Sequence, residues 1–322
     1  MRIRLSAAVA LVAAASLGLS ACSSDTSSDT AAETGEIVVI SHAQGDTEVP
    51  VDPERVVVFD QSVLQSMIDL DLPDAVGVPA LTNWPESFAR YRGDDVAKVG
   101  SLFEPDFEAV NALEPDLIIV AARSATSYDA LSEIAPTVDL SVDAKDFLAS
   151  VAKQNRNLAT IFGAEGAFEE KFAGIEASFD AVSAAAAQAN LRGLITRVEA
   201  AEVTAYGPGS RYGIIHDLGV KPVSETFADD VAHGDAVSFE YIAQADPDLM
   251  FVQDREAPLG DTTGPNASRV LDNPLVGGTT AAKEGRITYL DLYTWYMAPS
   301  ALSSVQSQID VVGQAVGKAA AA

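Results

Sequence analysis

Three arginines in similar settings are the residues of this 322-residue sequence with the clearest chemistry. Arg123 and Arg255 each follow a short apolar run, and Arg211 lies in the loop after the run VTAYG. The carboxyl ends of parallel strands meet at one edge of a sheet, where ligands bind. Because a guanidinium group is always charged and donates hydrogen bonds from a planar fork, it suits delocalised oxygen anions. We predict that the three arginines together line a pocket; for each arginine alone, a surface salt bridge is the alternative.

An 18-residue repeat accounts for two of these arginines. Residues 106–123 (DFEAVNALEPDLIIVAAR) and 238–255 (SFEYIAQADPDLMFVQDR) share seven identities without a gap. In each copy an Asp or Ser can cap a short helix, a Glu lies in its first turn and a Pro ends it, before an apolar run suited to a buried strand. The repeat predicts two similar lobes that direct an arginine toward a shared cleft. The alternative is a common helix-turn-strand pattern with solvated arginines.

The order of elements predicts an α/β fold of two Rossmann-like lobes with central parallel sheets. We predict lobes at residues 37–164 and 189–318, joined by one long helix at 165–188 with the ligand cleft between the lobes. The helix carries apolar residues spaced by 4, 3, 4 and 3 positions, which form one stripe. These residues are Phe168, Phe172, Ile175, Phe179 and Val182. Such a helix is a stiff connection, so we expect only a small closure of the cleft.

The N-terminal segment predicts export and a membrane anchor. Residues 1–21 combine two arginines with an apolar run too short for an ordinary transmembrane helix. The run ends in Leu-Ser-Ala-Cys22 and resembles a bacterial lipoprotein signal, which implies cleavage before Cys22 and lipidation of that residue. Residues 22–36 are polar and predict a flexible tether. We therefore expect an extracytoplasmic protein on the outer face of the cell membrane, or a periplasmic one if the cell has two membranes.

Charge and missing motifs exclude several classes of function. The net charge of −27 argues against nucleic acid as a partner, because such binding relies on neutralisation of phosphates by Lys and Arg. The same charge would repel an anionic ligand. A cluster of arginines in a cleft would therefore indicate a local positive pocket that overcomes this repulsion. The sequence contains no HExxH, GxSxG or P-loop motif, and the glycine-rich stretch 207–210 lacks a lysine. We predict that the protein is not an enzyme, with a secreted hydrolase as a remote alternative.

Several segments together resemble the ferric-siderophore substrate-binding lipoproteins of bacterial ABC importers. These segments are 42–60, 99–120, 206–220, 232–255 and 287–298, and they are most similar to members that bind catecholate siderophores. The resemblance implies a monomeric solute-binding component that captures an anionic Fe(III)-siderophore and delivers it to an ABC permease and its ATPase. It implies no permanently bound cofactor. A haem-binding or cobalamin-binding protein of the same class is the alternative.

The resemblance also implies roles for individual residues. His233 and Tyr296 correspond to family positions that complete the iron shell when the siderophore supplies only four donors, and Fe³⁺ prefers such oxygen donors as tyrosinate. From the residues alone, His233 could simply be exposed and Tyr296 could line a core. The predicted ligand-binding residues are Arg123, Arg211, Arg255, His233, Trp295 and Tyr296.

Acidic residues at matched helix starts predict the docking site for the permease. Glu108 and Glu240 hold equivalent places in the two repeat copies, and Glu104 is a second candidate in the first lobe. The resemblance implies that they meet arginines on the permease. Stabilisation of the helix N-terminus is the competing explanation. His216 is expected to be structural, and His42 has no assigned role.

Overall fold

The protein, represented by a computed structural model, is described for residues 36–81, 85–224, 227, 233–255 and 266–321. The predicted signal peptide and Cys22 lie outside these residues. A hairpin comes first, with strand β1 (Ile37–His42) antiparallel to β2 (Gly45–Pro50). Every helix in the described residues is too short or too polar to cross a membrane.

The first sheet is parallel and buried on both faces. Its strands are β3 (Val56–Val58), β4 (Gly77–Val78), β5 (Ala97–Lys98), β6 (Leu117–Val120) and β7 (Thr137–Asp139). They lie in the order β5-β4-β3-β6-β7 and are linked by helices α1 (Gln61–Asp69), α2 (Phe107–Ala112) and α3 (Tyr128–Ser132). Val56 and Val58 pack in one apolar cluster and Val57 in another, so both faces of β3 are covered. This sheet confirms the predicted parallel architecture of the first half.

Two consecutive helices connect the first sheet to the second. Helix α4 (Phe147–Ile161) is followed by α5 (Glu165–Ala189), the long helix predicted from the apolar stripe. Phe168, Phe172 and Ile175 are buried, so the stripe packs inside the protein. The left-handed residue Asn190 ends α5, with φ at 55°.

The second sheet is mixed. Its strands are β8 (Arg192–Glu199), β9 (Glu202–Tyr206), β10 (Lys221–Pro222), β11 (Asp235–Ala236), β12 (Leu249–Asp254) and β13 (Ile287–Leu290). They follow the order β11-β9-β8-β12-β13, with β10 also paired to β8. Strands β8, β10, β12 and β13 pair in parallel, as expected of a central parallel sheet, whereas β9 and β11 run antiparallel to their neighbours. The central strand β8 was absent from the prediction.

The helices of the second half pack around this sheet and back onto the first. They are α6 (Ile214–Asp217), α7 (Phe239–Ala245), α8 (Ala267–Val270), α9 (Pro274–Gly277), α10 (Thr280–Lys283) and α11 (Leu302–Ala320). Helix α5 packs against both α4 and α11. One apolar cluster runs from the first sheet through these helices to Ile195 and Phe251 of the second sheet. Apolar packing is therefore continuous between the two sheets.

Candidate functional site

Both copies of the sequence repeat form the same local structure. Asp106 caps α2 by accepting from the backbone N–H of Ala109 at 3.0 Å, and Ser238 caps α7 by accepting from Tyr241 at 3.2 Å. Each helix leads into a buried strand, β6 in the first copy and β12 in the second. The predicted caps and strands are confirmed.

The repeat extends to a further strand in each half. Asp116, before β6, accepts from the backbone N–H of Arg55 at 2.9 Å, and Asp248, before β12, accepts from that of Arg192 at 2.8 Å. The guanidinium groups of Arg55 and Arg192 in turn donate to carbonyls at the C-terminal end of the helix in their own half. Each half therefore contains a strand-helix-strand unit that is closed by these hydrogen bonds. Because the two units are built alike, the residue that follows each second strand emerges at an equivalent place.

Three arginines from separate elements converge on the ring of Tyr296. Arg123 lies in the 3-10 turn Ala122–Ser127 after β6, Arg255 directly follows β12, and Arg211 follows β9. Their Cζ atoms lie 5.1 Å, 5.2 Å and 4.6 Å from the centroid of the Tyr296 ring, respectively. Guanidinium groups at such distances are attracted by the negative face of an aromatic ring. The structure thus brings four of the predicted ligand-binding residues together; we call Arg123, Arg211, Arg255 and Tyr296 the arginine cage.

Tyr296 is presented by a π-helical turn, Tyr293–Met297, an element frequent at functional sites. Gln308 of α11, 1% exposed, donates to the carbonyls of Thr294 at 2.7 Å and Pro299 at 2.9 Å. These two bonds satisfy carbonyls that an irregular turn would leave unpaired. The turn that carries Tyr296 is therefore held by a buried side chain more than ten residues away, which no local pattern in the sequence predicts.

An acidic group holds one cage arginine, and a hydroxyl group orients the turn that carries another. Glu199 of β8 accepts from Arg255 Nη1 at 2.6 Å and from Arg197 Nη2 at 3.2 Å, so one carboxylate serves two guanidinium groups. In the first half, the backbone N–H of Ala122 donates to Ser141 Oγ at 2.8 Å, and Ala122 adopts a left-handed φ of 49°. This contact orients the start of the turn that carries Arg123. Arg197, Glu199 and Ser141 were not among the residues predicted from the sequence.

The cage lines two cavities. The larger, about 350 Å³, is bordered by Arg123, Arg211 and Tyr296 and has an apolar wall that includes Val142 and Phe147. A second cavity of about 170 Å³ shares Arg123, Tyr296 and Met297 with the first and is also bordered by Arg255. Both lie beyond the carboxyl ends of β6 and β12, where open sheets bind their ligands.

The electrostatics of the cage favour a negatively charged phenol oxygen. Burial raises the pKa of Tyr296, but a hydrogen bond from Arg211 and the positive charges of Arg211, Arg255 and Arg123 outweigh it, so the pKa lies below its ordinary value. By contrast, burial raises the pKa of Tyr212 and that of Tyr293. Among these tyrosines, Tyr296 loses its proton most readily and is the best oxygen donor for a hard cation.

Asp60 is an acidic residue in the same cleft that sequence analysis did not select. It is 5% exposed, caps α1 by accepting from the backbone N–H of Ser62 at 2.7 Å, and borders the larger cavity. Burial raises the pKa of its carboxyl group, while hydrogen bonds and the charge of Arg123 act in the opposite direction. Its capping bond gives it a structural role at the floor of the cleft.

Two predicted ligand-binding residues lie apart from the cage. Trp295 is 2% exposed and packs in the large apolar cluster beside the site, and its role as a ligand contact stays a prediction. His233 is exposed in the turn before β11, and its carbonyl accepts from the hydroxyl of Tyr206 at 3.0 Å. Neither residue borders the two cavities described above. Within the described residues, no cluster of three or more His, Cys, Asp or Glu side chains is arranged to hold a metal ion.

The two other histidines are held by hydrogen bonds. His216 Nδ1 lies 2.8 Å from the carbonyl oxygen of Val220. His42 Nε2 lies 2.8 Å from Thr47 Oγ1, and its Nδ1 accepts from the backbone N–H of Asp139 at 3.3 Å. These contacts fit the structural role expected for His216 and tie the first hairpin, which contains His42, to β7.

The acidic residues predicted to dock the permease are on the surface. Glu108 and Glu240 lie in the first turns of α2 and α7, and Glu104 lies in the loop before α2; all three are exposed. Backbone and Ser238 hydrogen bonds lower the pKa of Glu240, which keeps it ionised. The equivalent placement of Glu108 and Glu240 follows from the repeat.

The sequence matches the periplasmic binding protein family over residues 56–294. The chain belongs to this family. It is similar to the petrobactin-binding protein YclQ of Bacillus subtilis, with 36% identity over 96% of this chain and 98% of that protein. It is also similar to the ferric-anguibactin-binding protein FatB of Vibrio anguillarum, with 30% identity over 95% of this chain and 96% of that protein.

Solved structures of periplasmic binding proteins share the fold. The crystal structure of YclQ covers 87% of this chain and 99% of its own with a TM-score of 0.82. That of the catecholate-siderophore binding protein VctP of Vibrio cholerae has 33% identity and a TM-score of 0.81, covering 86% of this chain and 99% of its own. The predicted fold and the family resemblance are confirmed.

Proposed function

We propose that this periplasmic binding protein is the solute-binding component of an ABC importer for iron(III)-siderophore uptake. It captures an anionic ferric complex of catecholate type in the arginine cage and delivers it to the permease. The observation that carries the proposal is the convergence of three guanidinium groups on one phenol at the border of a cavity of about 350 Å³. The names of YclQ and VctP support the same ligand class.

The charge distribution suits this ligand. The whole chain carries −27, so it repels anions at long range, and only a local excess of positive charge can hold one. A ferric catecholate complex is a compact polyanion with delocalised oxygens. A hydrogen bond to a charged group contributes about 1.5–3 kcal/mol, so three arginines offset a substantial desolvation cost. Arg123 Nη2 donates to the carbonyl oxygen of Tyr296 at 3.3 Å and Arg255 Nη1 donates to Glu199 at 2.6 Å, so the remaining N–H groups of the cage hold the ligand.

Iron is part of the transported ligand at this site. When a siderophore supplies only four donors, the phenolate of Tyr296 and the imidazole of His233 complete the coordination of Fe³⁺. The lowered pKa of Tyr296 supports the first of these roles. The proposal for His233 rests on the resemblance alone and requires its loop to approach the cleft. The protein holds no permanent cofactor and releases its cargo chemically unchanged.

The remaining partners follow from the same proposal. Glu108, Glu240 and Glu104 contact the permease, whose ATPase drives transport, while the binding protein acts as a monomer. Lipidation of Cys22 tethers it to the outer face of the membrane. The equivalent helix starts of Glu108 and Glu240 support docking on a transporter with two similar halves.

A fluorescence titration against a panel of iron complexes tests the proposal. Trp295 is buried beside Tyr296 and will report a coloured ligand in the cage. The panel contains hexadentate and tetradentate ferric catecholates, a ferric hydroxamate, ferric citrate, haem and cobalamin. We expect saturable quenching below micromolar concentration with the catecholates only. Tight binding of haem or cobalamin without binding of any catecholate would contradict the proposed ligand.

A further inference from the structure

Phe103 is a large apolar side chain left in water at the mouth of the cleft. It is 68% exposed, the highest value among the exposed large hydrophobic residues of the described chain. Burial of a phenylalanine side chain stabilises a folded protein, and the exposed Phe103 does not contribute this stabilisation. Single exposed apolar residues are common on soluble proteins. The surroundings of Phe103 therefore decide whether its exposure has a purpose.

The loop that carries Phe103 is closed by hydrogen bonds. Ser101 N–H donates to the carbonyl of Glu104 at 2.9 Å, and Ser101 Oγ accepts from the backbone N–H of Phe103 at 3.2 Å and of Glu104 at 3.0 Å. Gly100 has a φ of 93°, and a Cβ atom there would collide with the carbonyl oxygen of Glu104. The backbone thus holds Phe103 at the tip of a defined loop, so its exposure is built into the fold.

The side chain of Phe103 borders the smaller cavity together with the arginine cage. Arg123, Arg255 and Tyr296 form the polar part of its lining, and the apolar part consists of Leu102, Phe103, Leu292 and Met297. The cavity measures about 170 Å³. A cavity of about 150 Å³ holds one benzene ring in a protein interior. The space beside Phe103 is therefore large enough for one aromatic ring, and its lining supplies both charged donors and apolar surface.

We propose that Phe103 is a specificity-determining contact that packs against an aromatic ring of the ligand while the ring oxygens face Arg123 and Arg255. A catechol ring has a polar part and an apolar part, because its two oxygens lie on one edge and its faces are apolar. Pairs of aromatic rings are stabilised beyond the effect of the apolar area that they bury. Hydroxamate and citrate complexes present no such ring, so this contact separates catecholates from other anionic iron complexes. The inference rests on the proposed function and assigns one residue to ligand selection.

Four variants of the purified protein test this role with a synthetic hexadentate Fe(III) tricatecholate as the probe. Phe103→Ala should bind it about tenfold more weakly than the wild type, since the stacking face and the apolar cover are both lost. Phe103→Tyr should bind like the wild type, and Phe103→Leu should fall between, because it keeps apolar area without a ring. Phe107→Ala is the matched control: Phe107 is 41% exposed on α2 and does not border the cavity. It should bind like the wild type.

The outcomes separate this inference from the proposed function. If the wild type fails to bind the tricatecholate, the proposed function fails and the role of Phe103 falls with it. If the wild type binds and Phe103→Ala stays within twofold of it, only the role of Phe103 is overturned. Equal losses for Phe103→Ala and Phe107→Ala would also overturn it, since surface hydrophobicity in general would then explain the effect.

Discussion

Replacement of Arg211 by alanine is expected to weaken binding of a hexadentate ferric tricatecholate by about 10- to 100-fold, with folding retained. The size follows from the loss of one charged hydrogen bond of about 1.5–3 kcal/mol, at about 1.4 kcal/mol per tenfold change in affinity. Arg211 has the Cζ atom nearest to the Tyr296 ring and donates to its phenol oxygen. Arg123→Ala and Arg255→Ala should also weaken binding. Fluorescence titration measures the affinities, and thermal unfolding checks the fold.

A charge-matched control separates the cage from the net charge. Arg156 lies on α4, is paired with Glu169 at 2.7 Å and is about half exposed. Arg156→Ala removes the same charge as Arg211→Ala. It should leave the affinity for the ligand within about twofold, because Arg156 does not contact the site. An exposed ion pair of this kind contributes only about 0–1 kcal/mol to stability. Unchanged affinity in all three cage variants would rule out the arginine cage as the binding site.

Tyr296→Phe is expected to discriminate between ferric complexes by their number of donors. A hexadentate siderophore fills all six iron positions, so loss of the phenol oxygen should change its affinity by about threefold or less. A tetradentate complex needs two donors from the protein, and its affinity should fall by about 100-fold, at the upper end of effects seen when metal-site support is removed. Titration of both complexes against both proteins measures the difference. His233→Ala should follow the same pattern if its imidazole reaches the iron.

Tyr289 supplies the control for this substitution. It is an exposed tyrosine of β13, and Tyr289→Phe removes the same hydroxyl group from a position outside the two cavities. It should bind both complexes like the wild type. If Tyr296→Phe loses equal affinity for the tetradentate and hexadentate complexes, Tyr296 supports the cage through packing and does not coordinate iron.

Local patterns in the sequence predicted the parts of the site that depend on local structure. The caps Asp106 and Ser238 and the apolar runs of β6 and β12 are properties of short segments, and their repetition placed Arg123 and Arg255 at equivalent strand ends. The narrow apolar stripe of α5 likewise predicted a buried helix face. These signals were sufficient for the fold class and for Arg123 and Arg255 of the cage.

The central strand β8 was missed because the turn that follows it contains none of the residue types that are typical of turns. Ala200 and Ala201 connect β8 to β9 with φ values of 50° and 66°, a conformation that normally selects Gly, Asn or Asp. The sequence therefore showed one strand at 203–207 where the fold has a hairpin. Because β8 was not recognised, the ion pair between its residue Glu199 and Arg255 could not be inferred.

The distinction between Trp295 and Tyr296 depends on tertiary structure. Both residues lie in the π-helical turn, where neighbouring side chains point in different directions. A turn of five residues shows no periodicity that would assign one side chain to the core and the other to the cleft. Gln308, which fixes the turn, and Phe103, which faces it from another loop, are brought near only by the folded chain.

A crystal structure of the protein with a bound hexadentate ferric tricatecholate tests the central claim most directly. We expect the complex in the cleft, with in-plane N–H groups of Arg123, Arg211 and Arg255 donating to catecholate oxygens. The iron should lie on the same side of the cleft as the Tyr296 phenol. A complex bound elsewhere, or one in the cleft without contact to the three guanidinium groups, would contradict the arginine cage as the ligand site.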